Sequence, residues 1–342
     1  MRRADPGPGR TVIRATAPVR ICDLGGWTDT WFGGPGRVCN LAVAPGVEVT
    51  IKKSSGPEPV LLDVPDYGDR YGMVPGEERT ARHPLLEAAF DWWPPPDGLP
   101  VEATVHSAVP PGSGTGTSAA VAVALIGALW HLRSLKLSQP DIAAAAHRLE
   151  VDALGRESGT QDQLCSAFGG ISYIEIERYP ESRRRELPLW DGLGRLLSVL
   201  FVGQPHDSSA VHRQVIDDAS RLGPSVFESL RRAAKGGRHA VLARDIGAFG
   251  RCMIANTDAQ ASLHPELVGA DARKVIQAAA RQGAIGWKVN GAGGAGGSLT
   301  LLSRTEDEKT RLEDTIGDLD PRYRFLPVAL SRPGLETTES YE

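Results

Sequence analysis

Apolar and polar positions alternate along residues 11 to 22, where β-branched side chains are frequent, and the pattern predicts a strand. Residues 38 to 52 (VCNLAVAPGVEVTIK) alternate again and read as two strands broken at Pro45-Gly46. A third alternating stretch covers residues 101 to 108. The segment AAVAVALIGALWHL after it is apolar on every face, as expected of a helix buried all round. Residues 140 to 153 have helical periodicity, opened by Ser138 and Pro140 as cap and first-turn residues. Residues 161 to 168 predict a short helix ahead of Gly169-Gly170 and the strand ISYIEI. Further on, residues 196 to 202 read as a strand, 208 to 282 as three helical stretches, and 284 to 289 and 298 to 302 as strands flanking a glycine cluster. Runs of strands followed by helices, rather than strict alternation, predict an α+β protein and not a doubly wound sheet.

Three stretches are expected to carry little structure or chemistry. Residues 55 to 100 are proline-rich and read as a surface excursion with a short amphipathic segment at 84 to 93. RYPESRRRE (178 to 186) is a charged interruption that places a domain boundary near 180, giving a β-rich half over 11 to 180 and an α+β half over 190 to 330. The ends, 1 to 10 and 333 to 342, are expected to fray.

Composition narrows the function. The chain has 342 residues and a formal net charge of −4 from 38 basic and 42 acidic side chains, with no long block of one sign, so a nucleic-acid partner is not expected. No apolar run reaches the roughly 20 residues of a membrane span, and MRRADPGPGR has no apolar stretch behind its arginines; no membrane partner and a cytoplasmic location are expected. Cys22, Cys39, Cys165 and Cys252 lack CxxC spacing and read as reduced, buried and inert, and the histidines form no HExxH pattern that would suggest zinc.

The glycines are concentrated. Pro110 and Pro111 precede Gly112, Ser113, Gly114, Thr115, Gly116, Thr117 and Ser118, between a strand and the buried helix. Three glycines at every second position let the backbone approach a ligand, and the helix N-terminus adds partial positive charge, so the loop reads as a phosphate cradle whose hydroxyls can meet phosphate oxygens or Mg²⁺. It lacks the lysine of a Walker loop, and it also fits a glycine-rich turn ending in helix caps. The second cluster, 290 to 297, contains a literal GxGxxG, but a strand follows it where a dinucleotide fingerprint needs a helix; a bulged hairpin is the alternative.

Two carboxylates suit phosphoryl transfer. Asp162 starts one helix and Glu150 lies near the end of the preceding one, so an antiparallel pair would bring both to the mouth of the first loop, one to hold Mg²⁺ and one to take a hydroxyl proton. Helix-dipole placement and a solvated face are the plain alternatives. Arg14 and Arg20 lie on the first strand, and Arg20 can neutralise charge on a transferring phosphoryl group if it points inward. Residues 23 to 30 form a polar turn in which Asp29 with Trp27 has the character of a carbohydrate pocket, which Asn40 can join; an Asx turn is the alternative.

APVRICDLGGWTDT (17 to 30), PPGSGTGTSAA (110 to 120) and NGAGGAGGSLTLL (290 to 302), in this order, resemble the three motifs of the GHMP kinase superfamily, over about residues 12 to 303. Thr115 and Thr117 depart from the usual residues of the second motif. DLGGWTDT is closer to the L-fucokinase and D-glycero-D-manno-heptose 7-phosphate kinase types. ESGTQDQLCSAFGG (157 to 170) resembles the SGKQDQ segment of the heptose kinases, with Thr160 in place of lysine.

The resemblance implies a two-domain GHMP kinase fold, ATP and Mg²⁺ as cofactors, and phosphorylation of the anomeric hydroxyl of a hexose or heptose to a sugar 1-phosphate. It implies Asp162 as catalytic acid/base, Arg20 as charge stabiliser, Pro111 to Ser118 as the nucleotide loop, and Ser118 and Glu150 as Mg²⁺ ligands. Asp29, Trp27, Gly26, Asn40, Gly293 and Gly294 are then sugar contacts. A homodimer is compatible with it. Thr160 favours an unphosphorylated sugar. The alternatives are a kinase or ATP-dependent decarboxylase acting on a non-sugar, or a non-catalytic binding protein on the same fold.

Overall fold

The computed structural model describes residues 11 to 136, 138 to 203 and 209 to 341. The chain forms β1 (Thr11–Leu24), β2 (Gly36–Lys53), β3 (Val60–Val64), β4 (Asp69–Met73), α1 (Pro84–Trp92), β5 (Val101–Ser107), α2 (Thr117–Leu132), α3 (Gln139–Arg148), α4 (Gln161–Phe168), β6 (Ile171–Arg178) and β7 (Glu181–Leu187). It continues with α5 (Asp191–Leu196), β8 (Leu197–Phe201), α6 (Ser209–Leu222), α7 (Glu228–Ala243), α8 (Ile246–Leu263), α9 (Ala270–Arg281), β9 (Gly286–Val289), β10 (Ser298–Leu302), α10 (Glu306–Gly317), β11 (Arg324–Phe325), β12 (Ala329–Leu330) and β13 (Glu336–Tyr341).

The strands make two sheets. The larger has the order β13-β1-β2-β5-β3-β4, with β6 and β12 also on β2 and β7 on β6. The smaller is β11-β8-β10-β9, antiparallel throughout. β2 is the spine of the first sheet: its start pairs β6, its end pairs β5, and β1 runs along its other side. β2 is one strand of 18 residues, where the sequence suggests two broken at Pro45-Gly46. The partner absorbs the irregularity, since the β1 register shifts between Ala17 and Val19. A second shift, between Ile21 and Leu24, leaves Cys22 and Asp23 out of the ladder, and bulges of this kind re-aim side chains toward active sites.

The core lies between the first sheet and α2, most of whose residues are buried, as an all-apolar helix requires. A separate cluster of Leu200, Val289, Leu299 and Leu301 with Val275 and Ile316 joins the second sheet to α9 and α10.

Several expectations change. Residues 55 to 100 hold β3, β4 and α1, because β3 (VLLDV) pairs in parallel with β5 and buries alternate residues. RYPESRRRE is the β6–β7 hairpin, whose charges sit on an exposed edge strand, and β7 carries the first sheet to Leu187. Residues 336 to 341 do not fray: β13 pairs with β1 from Thr11 to Thr16, and Leu335 packs so tightly on α2 that a Cβ on Gly127 would sit 2.7 Å from it. Residues 1 to 10 lie outside the described residues. The stretch 208 to 282 holds four helices, α6 to α9, rather than three. Cys252 is only half-buried, while Cys22, Cys39 and Cys165 are buried; burial pushes all four thiols up, Cys22 and Cys165 to about 12. No helix among the described residues is long and apolar enough to cross a membrane.

Candidate active site

The three glycine-bearing segments meet at one point. The loop before α2 runs so close to the loop after β9 that a Cβ on Gly114 would lie 2.8 Å from the Asn290 carbonyl oxygen, and one on Gly291 would lie 2.7 Å from that of Gly114. Gly112, Gly114 and Gly116 have φ of 69°, 71° and 71°, a left-handed conformation that glycine adopts at no steric cost. Asn290 is the junction: it accepts from the Cys22 amide at 3.1 Å and donates to Ser298 Oγ at 3.0 Å, while Ser298 Oγ donates to the Ser113 carbonyl at 2.6 Å. Ser113 and Thr115 are buried and hydrogen-bond each other at 2.7 Å, so their hydroxyls brace the loop from inside. Thr117 and Ser118 open the helix on the cleft side.

That cleft, of about 420 Å³, lies between the loop and the β3–β4 hairpin and is lined by Pro111, Gly112, Thr117 and Ser118 with Tyr67 and Leu85. Composition gave no warning of this wall, because Tyr67, Arg82 and His83 sit in proline-rich sequence that reads as surface loop.

On the other side of the loop a pocket of about 150 Å³ is lined by Arg20, Asp23, Asp29, Phe32, Gln161 and Asp162, among others. Asp162, at the start of α4, is gripped by Arg20 through Nε at 2.7 Å and Nη2 at 3.1 Å, and Arg20 Nη1 donates to the Gly114 carbonyl. Arg20 is 5% exposed, and its neighbours Asp162 and Asp23 hold the guanidinium charge against the cost of burial. Gly116 passes close to the same carboxylate: a Cβ there would lie 2.9 Å from Asp162 Cγ.

Glu150 is buried in a π-helical turn after α3, a rare geometry often found at functional sites, not on a solvated face. It accepts from Ser118 Oγ at 2.7 Å, from Ser158 Oγ at 3.1 Å and from the Gln163 amide, and burial shifts its carboxyl upward. The pairing of Ser118 with Glu150 offers two hard oxygens at the N-terminus of α2. Mg²⁺ suits such a set, since it takes few protein ligands and keeps waters and phosphate oxygens.

Asp29 is 2% exposed and accepts from the Gln161 amide N–H at 3.0 Å and from Gln161 Nε2 at 3.3 Å. Burial first, then the neighbouring Asp162, push its pKa up to about 6. Trp27 is buried in a cluster with Phe32 and Phe227. Phe32 lines the pocket with it, and Trp31 donates to the lining residue Glu157. Asn40 donates weakly to Gln161 and is buried behind the pocket wall, and Gly26 abuts Asp23 rather than lining the space. Gly293 and Gly294 are not among the lining residues. A Cβ on Gly293 would sit 1.9 Å from the Leu267 carbonyl oxygen and the Gly294 amide donates to that same oxygen at 3.0 Å, so Gly291 and Ala292 form this part of the wall instead. Arg14 is exposed and paired with Glu48, away from the site.

Residues 80 to 170 match the family described as GHMP kinases N terminal domain. Those residues form a GHMP kinase N-terminal domain. The chain is 29% identical to the mevalonate kinase of Pyrococcus horikoshii over 70% of this chain and 69% of that one. To the L-fucokinase/L-fucose-1-P guanylyltransferase of Bacteroides fragilis it is 23% identical over 96% of this chain and 39% of that protein. Among solved structures, a D-glycero-D-manno-heptose 1-phosphate kinase from Bacteroides thetaiotaomicron superposes with a TM-score of 0.76 at 19% identity, covering 96% of this chain and all of that one.

Lys288 and Gln161 are site residues that no sequence motif singled out. Lys288 is 1% exposed and meets Asp23 Oδ1 at 3.1 Å, with Gln260 Oε1 at 3.2 Å; burial pulls its pKa down and Asp23 opposes that. Its signal was a lysine inside an otherwise apolar strand (GWKV), two residues ahead of the glycine cluster.

Proposed function

We propose that this protein transfers the γ-phosphoryl group of ATP to the anomeric hydroxyl of an unphosphorylated hexose or heptose, releasing ADP and a sugar 1-phosphate. The observation that carries the reading is the charge of the 150 Å³ pocket: Asp23, Asp29, Glu157 and Asp162 line it, and Arg20, the one cation among its lining residues, is engaged by Asp162 and Gly114. Such a pocket disfavours an acceptor bearing a carboxylate or phosphate, and its carboxylates suit paired hydroxyls. At position 160, Thr160 is buried and shares a hydrogen bond with Ser182 Oγ at 2.8 Å, so this position supplies no cation for a sugar phosphate. Phe32 and Trp27 give the pocket an aromatic side on which a sugar's apolar face can rest.

In this reading Asp162 takes the proton of the attacking hydroxyl, and Arg20 orients Asp162 while keeping N–H groups for the transferring phosphoryl oxygens. The loop from Pro111 to Ser118 holds the phosphates, and the nucleotide's remainder lies in the cleft beside Tyr67. Ser118 and Glu150 are the residues that would hold Mg²⁺, which when bound offsets phosphate charge.

The test is ATP turnover on a panel of free hexoses and heptoses, their 6- or 7-phosphates, and mevalonate, with the product read by ³¹P NMR. A free sugar is expected to give the highest kcat/KM and an anomeric phosphate. Preference for mevalonate or for a phosphorylated sugar overturns the reading.

A further inference from the structure

The bulge at the end of β1 turns Asp23 out of the ladder and into the pocket wall. Its carboxylate is 1% exposed, yet only one oxygen is committed: Oδ1 accepts from the Gly291 amide at 3.1 Å and faces Lys288 Nζ at 3.1 Å. Oδ2 has no hydrogen-bond partner among the described residues. It occupies the room that position 26 leaves empty, since a Cβ on Gly26 would sit 2.6 Å from it. A carboxylate oxygen at a pocket wall that no protein donor engages keeps its accepting capacity for a ligand. Lys288 and the Gly291 amide, from β9 and the loop after it in the second sheet, anchor Asp23 from behind.

We infer that Asp23 is an acceptor-binding residue that receives a hydroxyl of the substrate at Oδ2, with Lys288 as the buried counter-ion that holds the carboxylate in that orientation. Specificity then rests on two carboxylates, Asp23 and Asp29, each reading a different hydroxyl. The absence of a side chain at Gly26 is part of the design, because any larger residue there would fill the space Oδ2 uses. This inference rests on the pocket being the acceptor site.

The experiment takes whichever of free D-galactose, D-mannose, L-fucose and D-glycero-D-manno-heptose the wild-type enzyme turns over, together with its monodeoxy analogues. In the wild type, loss of the hydroxyl read by Asp23 should cost about tenfold to a hundredfold in kcat/KM, the range of one charge-assisted hydrogen bond. In Asp23→Asn that analogue and its parent should become nearly equal. The KM for the parent sugar should rise about tenfold, and the KM for ATP should stay unchanged. Asp29→Asn should erase the penalty of a different hydroxyl. Should Asp23→Asn fail to fold because Lys288 is stranded, the double variant Asp23→Asn/Lys288→Met removes the pair together and serves for the same measurement. Full retention of every deoxy penalty, or a parallel rise in the KM for ATP, overturns the assignment. A wild-type enzyme that turns over none of these sugars removes the functional reading itself, before any variant is made.

Discussion

Arg20 binds Asp162 through two nitrogens, at 2.7 and 3.1 Å, and with its third reaches the Gly114 carbonyl, so one side chain locks that carboxylate to the glycine loop. Lysine cannot reproduce this fork. Arg20→Lys should therefore lower kcat by at least about tenfold and also lower the melting temperature, while Asp162→Asn should lower kcat by at least about a hundredfold with nucleotide affinity retained. Turnover assays and nucleotide titration of both variants check this, and wild-type turnover in Asp162→Asn would remove it from the chemistry.

Glu150 is held by Ser118, Ser158 and Gln163, and an amide at its place keeps most of those contacts while dropping the charge. For Glu150→Gln the Mg²⁺ concentration giving half-maximal activity should rise by about tenfold, with little change in thermal stability. A metal titration at saturating ATP reads it directly.

The carboxyl of Asp29 is pushed up to about 6 by burial and by Asp162. Two pH effects of opposite sign result. In the proposed reading the acceptor binds the carboxylate form, so acceptor kcat/KM should fall as pH drops through about 6, and Asp29→Asn should lose that limb. Stability goes the other way: between the unfolded value of 3.8 and about 6 the folded state binds more protons, so this residue's contribution to stability is lost as pH rises through that window. Denaturant unfolding at a series of pH values, wild type against Asp29→Asn, separates the two.

Gly116 and Gly98 share φ of +71°, but a Cβ at 116 would press on Asp162 while one at 98 meets nothing within 4 Å. Both alanine variants should lose about 1 kcal/mol of stability from the left-handed backbone. Gly116→Ala alone should lower kcat, by about tenfold or more, because it displaces the carboxylate from its fork with Arg20. Equal kinetics in the two variants would show that the contact does not matter.

Asp162, Glu150, Arg20 and the loop from Pro111 to Ser118 were all legible in the sequence. Glycine spacing and the all-apolar run after it are local signals, and they set a strand, a tight loop and a buried helix regardless of the rest of the chain. Periodicity likewise placed α2, α4 and the strands β1, β2, β5 and β6 of the first sheet. Sequence could not say that β13 returns to β1, or that β3 joins β5 in parallel, because strand pairing is decided by partners far along the chain, and weakly patterned edge strands carry little signal of their own. Nor could it show which side chains face one another. Lys288 and Asp23 are 265 positions apart, and Asp23 reads as an ordinary turn residue until a bulge turns it toward a lysine from the other sheet. Gly293 and Gly294 resemble ligand-binding glycines, but their backbone lies against Leu267. The sequence by itself determined the chemistry available to this protein, because residue types and local loops are written in order along the chain. The tertiary structure alone decided which groups share a pocket and which of them are already spent on one another, since burial and charge pairing depend on distances that sequence separation does not encode.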